Sequence, residues 1–416
     1  MQEDYLTNFL GMKGFCVARV EMGVRGERKA VVFYLERSEA GYLCGGCGQR
    51  VEGEVTSYRE REVQHLTLFE YLTFLRVYQY RVLCPTCGWK VERLPFAERY
   101  GRVTEALASL IYELCKVMTN KAVALFQGLH WGTVKDIDKK VLQKAQKERP
   151  LDGITVLGVD EIGVGKGHKY WHMVSALEGP RGPEMLYIGE GRKEKDLERF
   201  WRWFGKKRAE MITHAVMDMW KGFIRSFKAH CPGIQIIYDK FHIIRHLQEA
   251  LNSVRKSELR KAGVRFRGLL AGKKFILMKR YARVRGKARE ALYELLFASP
   301  KLMKAYLLKE SFSHLWSYSS QTWARKFFHN WVKQLRWSRL KSYERFARMI
   351  EKHLDGILSH CDKKVSLGFI EATNLKARNI IRRAYGYRDK EYMKLKIIQA
   401  CSPFGKFQPW SLCNIP

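Results

Sequence analysis

Nowhere in the 416 residues do 18 apolar side chains run together, and the opening segment "MQEDYLTNFLGMKG" has no basic stretch followed by an apolar core. The first absence excludes a membrane-spanning helix and the second a secretory leader, so the expected compartment is the cytoplasm. Acidic residues are scarce: 42 Asp and Glu against 76 Lys and Arg leave a formal charge of +34. That excess goes far beyond what solubility needs. It implies a polyanionic partner, nucleic acid first, because Lys and Arg that neutralise phosphates release condensed counterions. Closely spaced cysteines are few as well, four among ten. The other six read as reduced, mostly buried thiols and not as a disulfide framework. What is present is 46% hydrophobic, enough to bury a sizeable core, and the length points to two to four domains.

The four paired cysteines stand in "CGGC" (Cys44, Cys47) and "CPTC" (Cys84, Cys87), each pair followed by glycine. Two such knuckles can point four thiolates at one tetrahedral Zn²⁺, in preference to two unrelated turns or a redox pair. The segment between them, "EREVQHLTLFEYLTFLRVYQYRVLC", alternates apolar and polar residues in its second half and reads as a hairpin that brings the knuckles together.

Beyond it, "NKAVALFQ", the break "GLH" and "WGTVKDIDKKVLQK" have the layout helix, tight turn, helix. An ordinary helical hairpin uses the same turn chemistry, but the arrangement suits a DNA-reading unit. Its recognition helix would span Trp131 to Lys139, with Trp131, Thr133, Lys135 and Lys139 as candidate DNA contacts.

After Pro150 the pattern turns to strands: 154–160, 170–179, 184–191, then 212–218 and 234–239, with helix-patterned segments before each of the last two. This is the strand and helix order of an RNase H-like fold. Its first, fourth and fifth strands are expected to end in Asp160, Asp218 and Asp239. Strand ends often carry Asp as a turn or cap residue, but three in this order suit phosphodiester chemistry on two Mg²⁺ ions. Asp160 would bridge the ions and Asp218 would hold one. Glu161, adjacent on the strand, should face the other way.

A third carboxylate should come from a later helix. "SLGFIEATNLKARNIIRRAYGYRD" places Glu371 and Asn374 three apart and follows them with Lys376, Arg378, Arg382 and Arg383, a cationic run suited to phosphate. The long stretch between Asp239 and Glu371 is too long for a loop, helix-patterned and basic, with Trp316, Trp323, Trp331 and Trp337 interleaved. Those tryptophans are either helix-packing core or base-stacking platforms.

Taken in order, "CGGCG", "LCPTCG", "GVDEI", "VMDMW", "YDKFHII", "LLAGKKFILMKR", "RWSRL" and "EATNLKARNIIRRAYGYRD" make the chain resemble bacterial insertion-sequence transposases of the ISL-three group from about Cys44 to Lys396. The resemblance implies a multidomain α+β protein: a zinc-binding module over 1–98, a helix-turn-helix over 99–150, and an RNase H-like catalytic domain over 151–244 and 363–416, interrupted by an α-helical insertion over 245–362. It implies the catalytic triad Asp160, Asp218 and Glu371, with Asp239 and His242 as a motif beside it. It also implies one structural Zn²⁺, two catalytic Mg²⁺, binding to the duplex DNA of the element's terminal inverted repeats and of the target, and at least a dimer on DNA. Ala372 departs from the Gly that the resemblance leads one to expect after Glu371, and the tail beyond Lys396 leaves little room for a further module. An idle DNA-binding derivative or an RNase H-like structure-specific nuclease are the alternative functions.

Overall fold

Alternating side chains between residues 15 and 91 build a five-stranded sheet whose apolar face is made of Phe15, Val17, Val31, Phe33, Leu35, Val63, Leu75 and Val77. In the computed structural model, which describes residues 6–7, 10–165, 167, 169–261, 263, 267–268, 272–365, 368–384 and 388–403, the chain divides into two compact units. One comprises the residues up to Arg149 and the other Pro150–Pro403.

In the first unit, β1 (Phe15–Arg25) and β2 (Arg28–Arg37) form a hairpin, followed by the short strands β3 (Tyr42–Leu43) and β4 (Arg50–Val51). The expected second hairpin is present as β5 (Val55–Leu68) and β6 (Tyr71–Cys84), with β7 (Gly88–Val91) pairing back on β6. The sheet order is β1-β2-β6-β5, with β2 and β6 parallel. Three helices follow: α1 (Glu105–Val117), α2 (Asn120–Gln127) and α3 (Trp131–Lys147). Side-chain acceptors on Thr104, Thr119 and His130 cap their first turns, and Leu107, Ile111, Val123 and Val134 make their shared core.

In the second unit β8 (Val156–Gly163), β9 (Tyr170–Glu178) and β10 (Glu184–Glu190) form an antiparallel meander. After α4 (Glu198–Phe204), β11 (His214–Met217) joins the free side of β8 in parallel; after α5 (Lys221–His230), β12 (Gln235–Tyr238) joins β11, giving the order β10-β9-β8-β11-β12. The inner strands read as nearly continuous apolar runs because both faces are covered. One face, with Leu157, Val159, Ala215, Met217 and Ile236, packs on Phe200, Phe204, Phe223 and Phe227. On the other, Val156, Val216 and Ile237 meet Ile370 of a late helix. The first strand differs from the expected 154–160. It starts at Val156 and runs on to Gly163, because Glu161, Ile162 and Gly163 keep pairing with β9.

From α6 (Lys240–Lys261) onward the described chain is helical: α7 (Lys287–Ala298), α8 (Pro300–Phe312), α9 (Gln321–Lys333), α10 (Lys341–Lys352), α11 (Gly368–Arg383) and α12 (Lys390–Ala400). Leu247, Leu292, Tyr306, Phe328, Trp331 and Tyr343 extend the first-face core of the sheet without a break. The four tryptophans divide. Trp331 is core and donates its Nε1 hydrogen to the Leu308 carbonyl at 2.9 Å. Trp316 is half-buried beneath the Lys240 ammonium, while Trp323 and Trp337 are exposed. No described helix is long and apolar enough to cross a membrane.

Candidate functional site

The first cluster is built by turns. Cys44 lies between β3 and β4, and Cys84 ends β6. The hairpin of β5 and β6 returns Cys84 and Cys87 to Cys44 and Cys47, so that one sulfur from each of the four lies within 4.8 Å of every other. Zinc–sulfur bonds near 2.3 Å put tetrahedral sulfurs about 3.8 Å apart, and Cys47 Sγ stands 3.6 Å from Cys84 Sγ. The set fits one Zn²⁺. "GG" is required between the first two cysteines: a Cβ on Gly45 would lie 2.1 Å from the Val91 carbonyl oxygen, and one on Gly46 would lie 2.9 Å from Cys87 Sγ. Burial alone would raise the Cys44 thiol, but the backbone N–H groups of Cys47 and Gly46 bring it down to about 6. Hydrogen bonding to Cys47 and burial push Cys87 up to about 12.

The helix-turn-helix has the expected elements, with Gly128 in the left-handed region at φ +64° between α2 and α3. The second helix continues beyond Lys139 to Lys147. Val134, Asp138 and Leu142 face inward; Trp131 is exposed, and Thr133, Lys135 and Lys139 are half-buried on its flanks. Lys135 stands 3.2 Å from Asp136, and Lys140 pairs with Glu98. The unit is tied to its own sheet. Gln64 Nε2 donates to the Gln127 carbonyl at 2.7 Å, and Arg28 Nη1 donates to the Phe126 carbonyl at 2.8 Å.

The second cluster is built by strand register. Val216 pairs with Gly158 of β8 and with Ile237 of β12. Two residues further along each chain stand Asp160, Asp218 and Asp239, on one level and on the face of Val156, Val216 and Ile237, because residues two apart share a face. Gly158 lets α11 close on this face, since a Cβ there would come 2.8 Å from Ile370 Cδ1. As a result Asn374 Nδ2 reaches Asp160 and donates to its Oδ2, while the Glu161 amide donates to Oδ1 at 2.7 Å. The Met219 amide donates to Asp218 Oδ1 at 2.6 Å. Asp239 Oδ1 accepts from the Phe241 amide at 2.8 Å and opens α6. His242 Nδ1 stands 3.2 Å from Asp239 Oδ2 and its Nε2 4.0 Å from Asp218 Oδ2; Arg245 is also 4.0 Å from Asp218.

Burial raises the Asp160 carboxyl above the usual carboxylate range, against the pull of the Glu161 amide, His242 and Asn374. Burial would lower His242, but Asp239, Asp218 and Asp160 together raise it. Glu371 lies exposed in the first turn of α11. At about 100° per residue it falls about 60° round the helix from Asn374, on the same flank. Among the described residues, only the cysteine tetrad gathers three or more such ligand atoms within 4.8 Å of one another. Asp160 and Asp218 thus share a face, and together with Glu371 they do not close to that spacing.

Comparison with known proteins matches residues 42–87 to the zinc-finger of transposase IS204/IS1001/IS1096/IS1165, 92–142 to the helix-turn-helix domain of transposase family ISL3, and 157–397 to the DDE domain of ISL3, described as a transposase. The chain belongs to the ISL3 transposase family. It is 32% identical over 392 residues to the transposase for insertion sequence element IS1001 of Bordetella parapertussis, covering 93% of this chain and 95% of that protein. It is 25% identical over 374 residues to the transposase for IS1557 of Mycobacterium tuberculosis, covering 84% and 83%. This ISL3 transposase thus carries a DNA-binding helix-turn-helix and a DDE domain of a class that cleaves and transfers DNA, and its cysteine tetrad supports a structural zinc.

Of the cations on α11 of the ISL3 domain, Arg378, Arg382 and Arg383 are exposed, whereas Lys376 donates to the Ala400 carbonyl at 3.0 Å and ties α11 to α12. A second group escaped the sequence reading. Arg192 bonds Glu161 at 3.2 Å, with its guanidinium 4.5 Å from the Tyr170 ring and 4.3 Å from the Trp220 ring, while Trp220 Nε1 donates to the Arg192 carbonyl at 2.8 Å. Its signal is an Asp-x-Trp after the fourth strand and an Arg after the third, which become neighbours only once the sheet is formed.

Proposed function

We propose that the chain is an active DDE transposase that binds the terminal inverted repeats of its insertion sequence and cuts and joins DNA with Asp160, Asp218 and Glu371. The observation that supports this best is the level shared by Asp160 and Asp218 on adjacent parallel strands, beneath the helix that carries Glu371. Two Mg²⁺ ions held by these carboxylates would supply Lewis-acid charge to the attacking and leaving oxygens of a phosphodiester. Asn374 and the Glu161 amide hold the Asp160 carboxylate from both oxygens. Arg245 places positive charge beside Asp218, with His242 between Asp218 and Asp239, and Arg378, Arg382 and Arg383 offer guanidinium groups to the DNA backbone. Trp131, Thr133, Lys135 and Lys139 read the repeat from α3, and the zinc module supports them. Because two element ends must meet, the working form is at least a dimer on DNA, acting on the nucleoid in the cytoplasm.

A nicking assay on element-end duplexes with Mg²⁺ tests this reading. End-specific strand cleavage that Asp160→Asn abolishes, with binding retained, is the expected result. Binding with no cleavage would assign the chain to the idle DNA-binding derivatives, and cleavage without preference for the ends to the structure-specific nucleases.

A further inference from the structure

The turn between α9 and α10, "RWSRL", holds the most exposed large hydrophobic side chain among the described residues. Trp337 is 96% exposed. Its backbone is in the left-handed region at φ +64°, as is that of Arg339 at φ +54°. Side chains other than glycine rarely adopt this conformation, and the strain persists only where surrounding structure fixes it. Here three anchors do so. Leu335, Ser338 and Leu340 are buried; the Ser338 amide donates to the Leu335 carbonyl at 3.0 Å, and Ser338 Oγ accepts from the Leu340 amide at 3.2 Å. The turn is pinned on both sides of the indole, which is held away from the core.

Trp337 edges an open cleft of about 960 Å³ between α9 and α10. Arg336, Arg345, Arg348 and Lys352 outnumber Glu344 and Glu351 on its walls, and Glu351 stands 3.3 Å from His329 Nε2. An indole face beside a cationic wall matches one nucleotide: the ring stacks on a base and the cations meet its phosphates. A base within a duplex has both faces covered by its neighbours, so only an unpaired or extruded base can take this place.

We infer that Trp337 is a stacking platform for a single unpaired base of the bound DNA, with Arg336 and the cations of α10 holding that nucleotide's backbone. The inference rests on the DNA-processing reading above and adds to it a specific site, outside the carboxylate cluster, for a distorted strand.

The test uses the full chain with two probes, a fully paired duplex and the same duplex carrying one unpaired 2-aminopurine. The wild type should bind the second probe about tenfold more tightly than the first, in keeping with the worth of one base–aromatic stack, and should quench the probe's fluorescence. Trp337→Ala should erase both the preference and the quenching, while Trp337→Phe should keep most of each. A preference that survives Trp337→Ala, or a wild type with none, overturns the proposal. A shift in self-association with no change in the preference overturns it too, by assigning the indole to a protein contact. Asp160→Asn separates the two readings: it should lose cleavage and keep the preference for the unpaired base.

Discussion

The two ligand clusters of this ISL3 transposase are assembled in opposite ways. Four thiols are brought together by two tight turns at the end of one hairpin, where the Val91 carbonyl leaves no room for a side chain at Gly45 and the Cys87 sulfur none at Gly46. The carboxylates come from within β8, from the residue after β11 and from a helix far along the chain; Asp160 and Asp218 share a face, and the three do not crowd together. A structural site gains from closure, since its ion serves folding and nothing has to enter. On the proposed function the carboxylates must admit a phosphodiester between them, which suits their being steadied individually, Asp160 by Asn374 and Asp218 by the Met219 amide.

The sharpest way to break this contrast is to neutralise one carboxylate. Asp160→Asn should lower strand cleavage a hundredfold or more while leaving DNA binding in place, because the change keeps the shape and removes the charge that cations must meet. Asp218→Asn and Glu371→Gln should match it, and combining any two should cost little beyond the first, since groups acting as one unit are not additive. Full additivity in a cleavage assay would show that the three act separately.

Next in size, Cys84→Ser should remove close to one Zn²⁺ per chain by metal analysis. It should also remove end-specific binding while the unit beyond Pro150 keeps its melting transition. A variant that retains its metal would show that three sulfurs suffice. Gly45→Ala probes the closure itself. With the Val91 carbonyl in the way, the first unit should lose about 1–3 kcal/mol in a denaturant titration.

A smaller effect concerns the sheet that carries these turns. Burial lowers His65 to about 4, and its Nδ1 meets Thr104 Oγ1, the cap of α1, at 2.9 Å. A folded value below the ordinary 6.5 means that the unfolded chain takes up the proton first. Stability is therefore full above about 6.5 and declines as pH falls toward 4, by up to about 3 kcal/mol. The melting temperature of the first unit should follow, and His65→Gln should flatten that dependence. Smallest of all, Glu161→Gln should leave measurable cleavage, because Glu161 is committed to Arg192 and belongs to the other face of β8.

The aspartate row was legible because each expected strand is a short apolar run closing on an acid, and the run itself carries the register. The length of β8 was not, since Glu161 to Gly163 are strand only through their partners on β9. Trp331 could have been assigned to the core from its spacing with Ala324 and Phe328, which fall on one helical stripe. No period marks Trp337, whose exposure depends on a turn fixed by Leu335, Ser338 and Leu340. Nor could "CGGC" announce that Gly45 answers to a carbonyl on β7 and Gly46 to the Cys87 sulfur, because those contacts exist only after the hairpin has closed.

The hydrogen bonds from Gln64 and Arg28 to the end of α2 make the first unit a caliper. On the proposed function, the sheet and the helix-turn-helix tied to it would meet a duplex at a set spacing. One inserted base pair between those contact points would slide one of them about 3.4 Å along the groove and turn it by about a tenth of a revolution. On that function such a reader would gauge distance as well as letters, and an element lengthened by a single base pair at its ends should be bound less tightly by its own enzyme.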